Sequence, residues 1–285
     1  MDQRQLLAVT PKDVTTHKAT ATEPTATPDS KATPPILETD VASASNGCTM
    51  LGIYGSYYSQ AQEALDKLNE IRKEACEAGN IPDPRDPSRM LTSDDYKPLR
   101  WSRDLESIAR IRAAEAGISF NFMASGHDRP SDKDTFSLSF HGVSSNCEDL
   151  AYCWGKSMTE GVLLWKSEQK DWVDQNLSNE TGHYKSMINP KYNYVGLGDS
   201  EAAPYPNTVA GEFSTRTGLN ETMQDVQTDV IQKVEISNKY IKENFLDGTD
   251  TIKTEQTSSL TAKVRLERTR SNGKVSTREI WSVQP

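Results

Sequence analysis

Apolar residues along this chain change their spacing, and the changes mark out its elements. Ala61, Leu65, Leu68, Ile71 and Ala75 recur at three- and four-residue intervals, which predicts a helix over about Tyr57 to Ala78. Gly79, Asn80 and Pro82 then end it. The stretch PDPRDPSRMLTSDDYKP reads as a loop. A second helix is expected from Ser102. Serine is a good N-cap, and Asp104 and Glu106 lie in the first turn, where the helix dipole favours acids. Leu105, Ile108, Ala109, Arg112, Ala113 and Ala116 carry this helix to Gly117. Residues 121–146 read as a long loop, and the mixed pattern of NCEDLAYCW (Asn146–Trp154) fixes no state. A third helix is expected over about Thr159 to Gln175. Its Trp165, Glu168 and Trp172 fall at i, i+3 and i+7, with Leu164 four residues before Glu168, so a carboxylate shares the face of two tryptophans. That placement is costly unless the acid is paired or solvated.

The spacing then shortens to two. Tyr194–Gly198 and Val209–Thr215 read as strands, the second with Val209, Gly211 and Phe213 alternating with polar residues. Helices followed by strands indicate an α+β domain, assigned to residues 47–220. Beyond it, TDVIQKVEIS reads as a strand or a connector into one, and SLTAKVRLERTR places Leu260, Ala262, Val264 and Leu266 on one side. Asn272–Gly273 is a hairpin signal, and Val275, Thr277, Trp281 and Val283 follow it. Residues 221–285 are therefore expected to form a small all-β module, immunoglobulin-like or partial, because about 60 residues fall short of the roughly 100 of a full sandwich.

Composition changes the picture at the N-terminus. Residues 1–46 are rich in Thr, Pro and Ala, as in TATEPTATPDSKATPP, and carry no aromatic residue. Such a segment cannot offset chain entropy by burial, so it is expected to be a disordered spacer of a kind used outside the cell. The net charge of −9 disfavours nucleic acid and a general polybasic hold on anionic lipid. No apolar run approaches the roughly 20 residues of a membrane span. MDQRQLLAV is no signal peptide, so export implies one already removed. Cys48, Cys76, Cys147 and Cys153 show no CxxC spacing, which disfavours a zinc knuckle. At least one disulfide is expected, its pairing open.

The chain lacks HExxH, GxSxG, Walker A and GxGxxG signatures. Its histidines are His17, His127, His141 and His183. His17 falls in the spacer. The blocks LNEIRKEACEAGNIP, LRWSRDLESIARIRAAEAG, SGHDRP, NCEDLAYC, LLWKSEQKDW and TGHYKSMINPKYNYVGLG occur in that order. Together they resemble the CAP superfamily of cysteine-rich secretory, antigen 5 and pathogenesis-related 1 proteins, with the look of a bacterial, SCP-like member. The resemblance spans about Ala61 to Phe213. It implies a three-layer α-β-α sandwich with a central antiparallel sheet and an open cleft lined by two histidines and two acids. Matched block by block, these are His127, Glu148, Glu168 and His183, with His141 the rival for the first position. Asp149 stands where the family carries asparagine, which would bring an extra negative charge near the cleft.

Neutral imidazoles suit zinc and similar divalent ions, and carboxylates ligate directly or orient the rings. The site is therefore expected to hold a weakly bound cation, zinc first, on His127 and His183. Glu148 and Glu168 would be cleft or second-layer residues, and no organic cofactor is expected. The alternative is a hydrogen-bonded polar network without metal. The functional expectation is an extracellular or cell-surface binding module for a lipid, a peptide or a surface ligand. A metal-dependent hydrolase with Glu148 or Glu168 as acid/base is the alternative, and adhesion through the β module a third reading.

Overall fold

The computed structural model describes residues 35–57, 60–119, 127–202, 205–225, 227–239, 250–258, 261–269 and 275–283. Strand β1 (Cys48–Tyr57) comes first, then helix α1 (Ala61–Glu77), whose buried face carries Ala61, Leu65, Leu68, Ile71 and Ala75 as the spacing predicts. Gly79 stops it in the left-handed region at φ +72°, a conformation that L side chains disfavour. The proline-rich loop contains a short hairpin, β2 (Pro82–Asp83) with β3 (Asp86–Met90). Strand β4 (Arg100–Trp101) leads into α2 (Arg103–Ser119). The Leu105 amide donates to Ser102 Oγ at 3.3 Å, so Ser102 caps α2 as expected. Strand β5 (Cys147–Cys153) resolves the segment whose state the pattern left open. The expected third helix is two, α3 (Met158–Lys166) and α4 (Gln169–Val173), with Ser167 and Glu168 at the break. A short helix not foreseen, α5 (Gly182–Ile188), precedes strands β6 (Tyr194–Ala202) and β7 (Tyr205–Ser214).

The central sheet has the order β4-β6-β7-β5. It is antiparallel except for the β4–β6 pair, which is parallel. One face packs on α1, α3 and α5 through Leu68, Ile71, Val162, Trp165, Met187, Val195, Leu197, Val209 and Phe213. The other packs on α2. Here Gly196 and Gly198 are needed for closeness rather than flexibility. A Cβ on Gly196 would lie 2.1 Å from the Glu106 amide nitrogen, and one on Gly198 would lie 2.3 Å from that of Arg110. The VGLG stretch is therefore the seat of α2 on the sheet.

From Asp104 to Gly117 every residue of α2 except Ser107 is buried, so this helix is enclosed on all sides. A second sheet covers its far side. Strands β8 (Gln227–Ser237), β9 (Asp250–Ser258), β10 (Thr261–Thr269) and β11 (Val275–Val283) combine with β1 in the order β8-β1-β11-β10-β9. Leu51 and Ile53 of β1 and Val234 and Ile236 of β8 pack against Leu105, Ile108, Ile111 and Ala114 of α2. Strand pairing thus crosses the expected boundary at residue 221. The sheet draws Cys48–Tyr57 from the other side of the domain, with Leu51 opposite Val234 and Ser282. The expected Asn272–Gly273 turn, Leu260, His17 and nearly all of the 1–46 spacer lie outside the described residues.

The disulfide expectation is corrected: all four cysteines are free thiols. Cys147 and Cys153 stand at opposite ends of extended β5, about 20 Å apart at roughly 3.3 Å per residue, far beyond the roughly 7 Å limit between bridged Cα atoms. Cys76 and Cys153 are buried in the apolar core, and burial pushes the Cys153 thiol up to about 12.

Candidate functional site

Strand β5 places its residues on alternating faces. Glu148, Leu150 and Tyr152 point to α2; Cys147, Asp149, Ala151 and Cys153 point to the opposite helical layer. Glu148 meets Arg112 of α2. Arg112 Nε donates to Glu148 Oε2 at 2.5 Å and Nη2 to Oε1 at 3.0 Å, while Glu148 Oε1 lies 2.7 Å from His127 Nδ1. Burial raises the Glu148 carboxyl, but the Arg112 charge and the bonds from His127 and Arg112 outweigh it and hold the group down at about 2. The His127 backbone carbonyl accepts from Arg112 Nη2 at 2.9 Å and from the Thr135 hydroxyl at 2.6 Å.

Glu168 is held in another way. It lies at the α3–α4 break, and its Oε2 accepts from the backbone amides of His183 at 3.0 Å and Tyr184 at 3.1 Å, the first turn of α5. Its Oε1 is 2.5 Å from His183 Nδ1. The acid foreseen beside the tryptophans is thus paired. Trp165 and Trp172 are buried and donate to the Leu150 and Pro82 carbonyls, whereas Leu164 faces outward. Burial lowers the affinity of His183 for a proton. The hydrogen bond to Glu168 and the charges of Asp149 and Glu168 outweigh that, so its imidazole titrates above the ordinary value.

The two pairs face each other. The His127 and His183 rings stack with centroids 6.3 Å apart and planes at 27°. The His127 side chain is 43% exposed and that of His183 21%, so the cleft is open. Glu180, also exposed, completes a group with Glu168 and His183 in which one ligand atom from each lies within 4.8 Å of the others; His127 is not in it. His141, the rival, does not enter the cleft: its Nδ1 is 2.7 Å from Asp104 Oδ1 at the start of α2. Asp149, the extra acid expected near the cleft, is fully enclosed, and burial pushes its carboxyl well above the ordinary range. Glu212, opposite Glu148 on β7, is shifted the same way, first by burial and then by the Glu148 charge.

Glu180, Glu212, Glu115 and Arg129 were missed as parts of the site, and Arg112 was read only as part of a helix face. Arg112 did carry a signal: it falls in register with the apolar positions of α2, where a charge must find partners.

Two helical layers on a central sheet, with a cleft built from two histidine–carboxylate pairs, define the class. The chain belongs to the CAP, or cysteine-rich secretory protein, family: the sequence profile of that family matches residues 65–213, more than half of the chain. Among solved structures it is similar to BmVAL-1, with 13% identity over 60% of this chain and 84% of that one and a TM-score of 0.35. Among curated proteins none matches.

Proposed function

We propose that this protein is a secreted or cell-surface binding module without catalysis of its own, whose cleft holds a divalent cation and engages a ligand such as a lipid or a peptide. One observation carries the reading: both imidazoles use Nδ1 for a carboxylate, so in the neutral ring that donates from Nδ1 the lone pair is on Nε2. A carboxylate in that position fixes the tautomer and raises ligand basicity. On one tetrahedral zinc with bonds of about 2.0–2.1 Å two ring centroids stand roughly 5 Å apart, so the rings, at 6.3 Å, would draw together by about an ångström to share an ion. His183 also has the exposed Glu180 within reach. The residues fit a weakly held ion with His183 as the common member, and the nitrogen and oxygen donors suit zinc best. When bound, the ion would supply a positive charge able to draw a ligand carbonyl or phosphate.

The hydrolase alternative asks Glu148 or Glu168 to act as general base. Glu148 is held near 2 and clamped by Arg112, which makes it a weak base. Both oxygens of Glu168 are committed to His183 and Tyr184. The composition of the N-terminal segment and the family supports an extracellular placement; the free thiols lend it no support. No helix among the described residues is long and apolar enough to cross a membrane.

The test is elemental analysis with zinc titration of the purified protein against the double variant His127→Ala/His183→Ala. A bound ion lost in the variant is expected. No ion at any pH would overturn the metal reading, and peptide cleavage abolished by His183→Ala would establish the hydrolase instead.

A further inference from the structure

We infer that Arg112 is a positioning residue for the cation cleft: its guanidinium sets the plane of the Glu148 carboxylate and the backbone of His127 together, and so fixes which ring nitrogen of His127 carries the proton. This rests on the reading of the cleft as a cation site. The geometry is specific to one side chain. Arg112 is fully buried in the middle of α2, and its donors reach Glu148 Oε2, Glu148 Oε1, the His127 carbonyl and Glu115 Oε2. Glu115, one turn on, receives Arg129 Nε and Nη2, and Arg129 Nη1 donates to Ser137 Oγ at 2.7 Å. Arg129 lies two residues after His127. The loop that carries His127 is thus tied to α2 at two points, both of which run through the Arg112–Glu115 pair.

Only a guanidinium can make these bonds at once. Its planar fork offers five donors in fixed directions, whereas an ammonium is a single point charge with three. With the carboxylate plane held by the fork, Oε1 is turned toward His127 Nδ1. That selects the tautomer with the proton on Nδ1 and so leaves the lone pair on Nε2. His183 does not depend on Arg112, because its carboxylate is held by backbone amides. It serves as the internal control.

The test is Arg112→Lys, which keeps the buried charge and removes the fork. Imidazole nitrogen shifts would be read by NMR at about pH 8, where an ordinary histidine is neutral. The expected result is a loss of the Nδ1–H preference at His127 with the His183 signals unmoved. Zinc affinity should fall about 10- to 100-fold, the usual effect of losing an outer partner of a metal ligand. A folded Arg112→Lys protein with an unchanged His127 tautomer would overturn the inference. If Arg112→Lys does not fold, Glu115→Gln carries the test. It loosens one arm of the same guanidinium and should move the same His127 signals by a smaller fraction; no movement would again overturn it. The tautomer is read without metal, so a wild-type protein that binds no zinc would defeat the cation reading and leave this result standing.

Discussion

The cleft contains the same pair twice, imidazole Nδ1 against glutamate, and holds the two copies by different physics. Glu148 is buried and kept ionised by a guanidinium inside the enclosed helix α2. Glu168 lies nearer the surface and is held by the free amides at the start of α5. Helix N-termini present unpaired N–H groups and favour negative charge, so the second arrangement needs no buried cation. The first costs more to assemble and more to break. Removing one partner of a buried ion pair strands the other, whereas a carboxylate at a helix start can be replaced by another acceptor. The difference also separates rigidity from adjustability. The His127 half is tied into the layer between two sheets; the His183 half hangs on a break between two short helices.

The sharpest way to break the comparison is Arg112→Met. It leaves Glu148 buried without its cation and Glu115 with Arg129 alone, and a loss of about 3–5 kcal/mol is expected by urea denaturation. A loss under about 1 kcal/mol would show that the guanidinium does not bear on the fold as the geometry implies.

Glu168→Gln tests the other half and should cost less, about 1 kcal/mol. The amide oxygen can still accept from the His183 and Tyr184 amides, while the bond from His183 Nδ1–H and the charge assistance are lost. Denaturation midpoints of both variants under one buffer give the ranking. Equal losses would remove the distinction between a salt-bridge anchor and a helix-start anchor.

How far the sequence shows this follows the same division. Periodicity reveals a face, so α1, α2 and the β6–β7 pair were legible from spacing alone. It fails where both faces of an element are covered. β5 is enclosed between α2 and the α3–α5 layer, and its charged Glu148 and Asp149 hide the strand. β1 has glycines at 52 and 55 and finds its partners about 180 and 230 residues later, which no local pattern reports. Helix α5, at seven residues, is too short to show a period. The four cleft residues came from the family resemblance, and the structure brings them together. Their supports could not be read in the same way. Arg112 and Glu115 share one block, whereas Arg129 and Glu148 lie in others, and spacing states which residues share a face, not which meet across elements.

The smallest expected effect separates the pairs by pH. The Glu148 carboxyl sits at about 2 against an ordinary value near 4.5. A depressed acid contributes stability that is complete above the ordinary value and is lost as pH falls toward 2. His183 is shifted upward. It contributes stability that is complete below about 6.5 and is lost as pH rises through its folded value. The two halves should therefore weaken at opposite ends of the scale. On the alkaline side the change should be a few tenths of a kcal/mol to about 1, since the pair is partly solvated. Urea midpoints taken from about pH 6 to about pH 9 would show it in the wild type and not in Glu168→Gln, where the partner that holds the proton on His183 is gone. Parallel profiles would mean that His183 owes its shift to another charge. Asp149 is the group to replace next, because it is the other acid whose charge holds that proton from beneath α5.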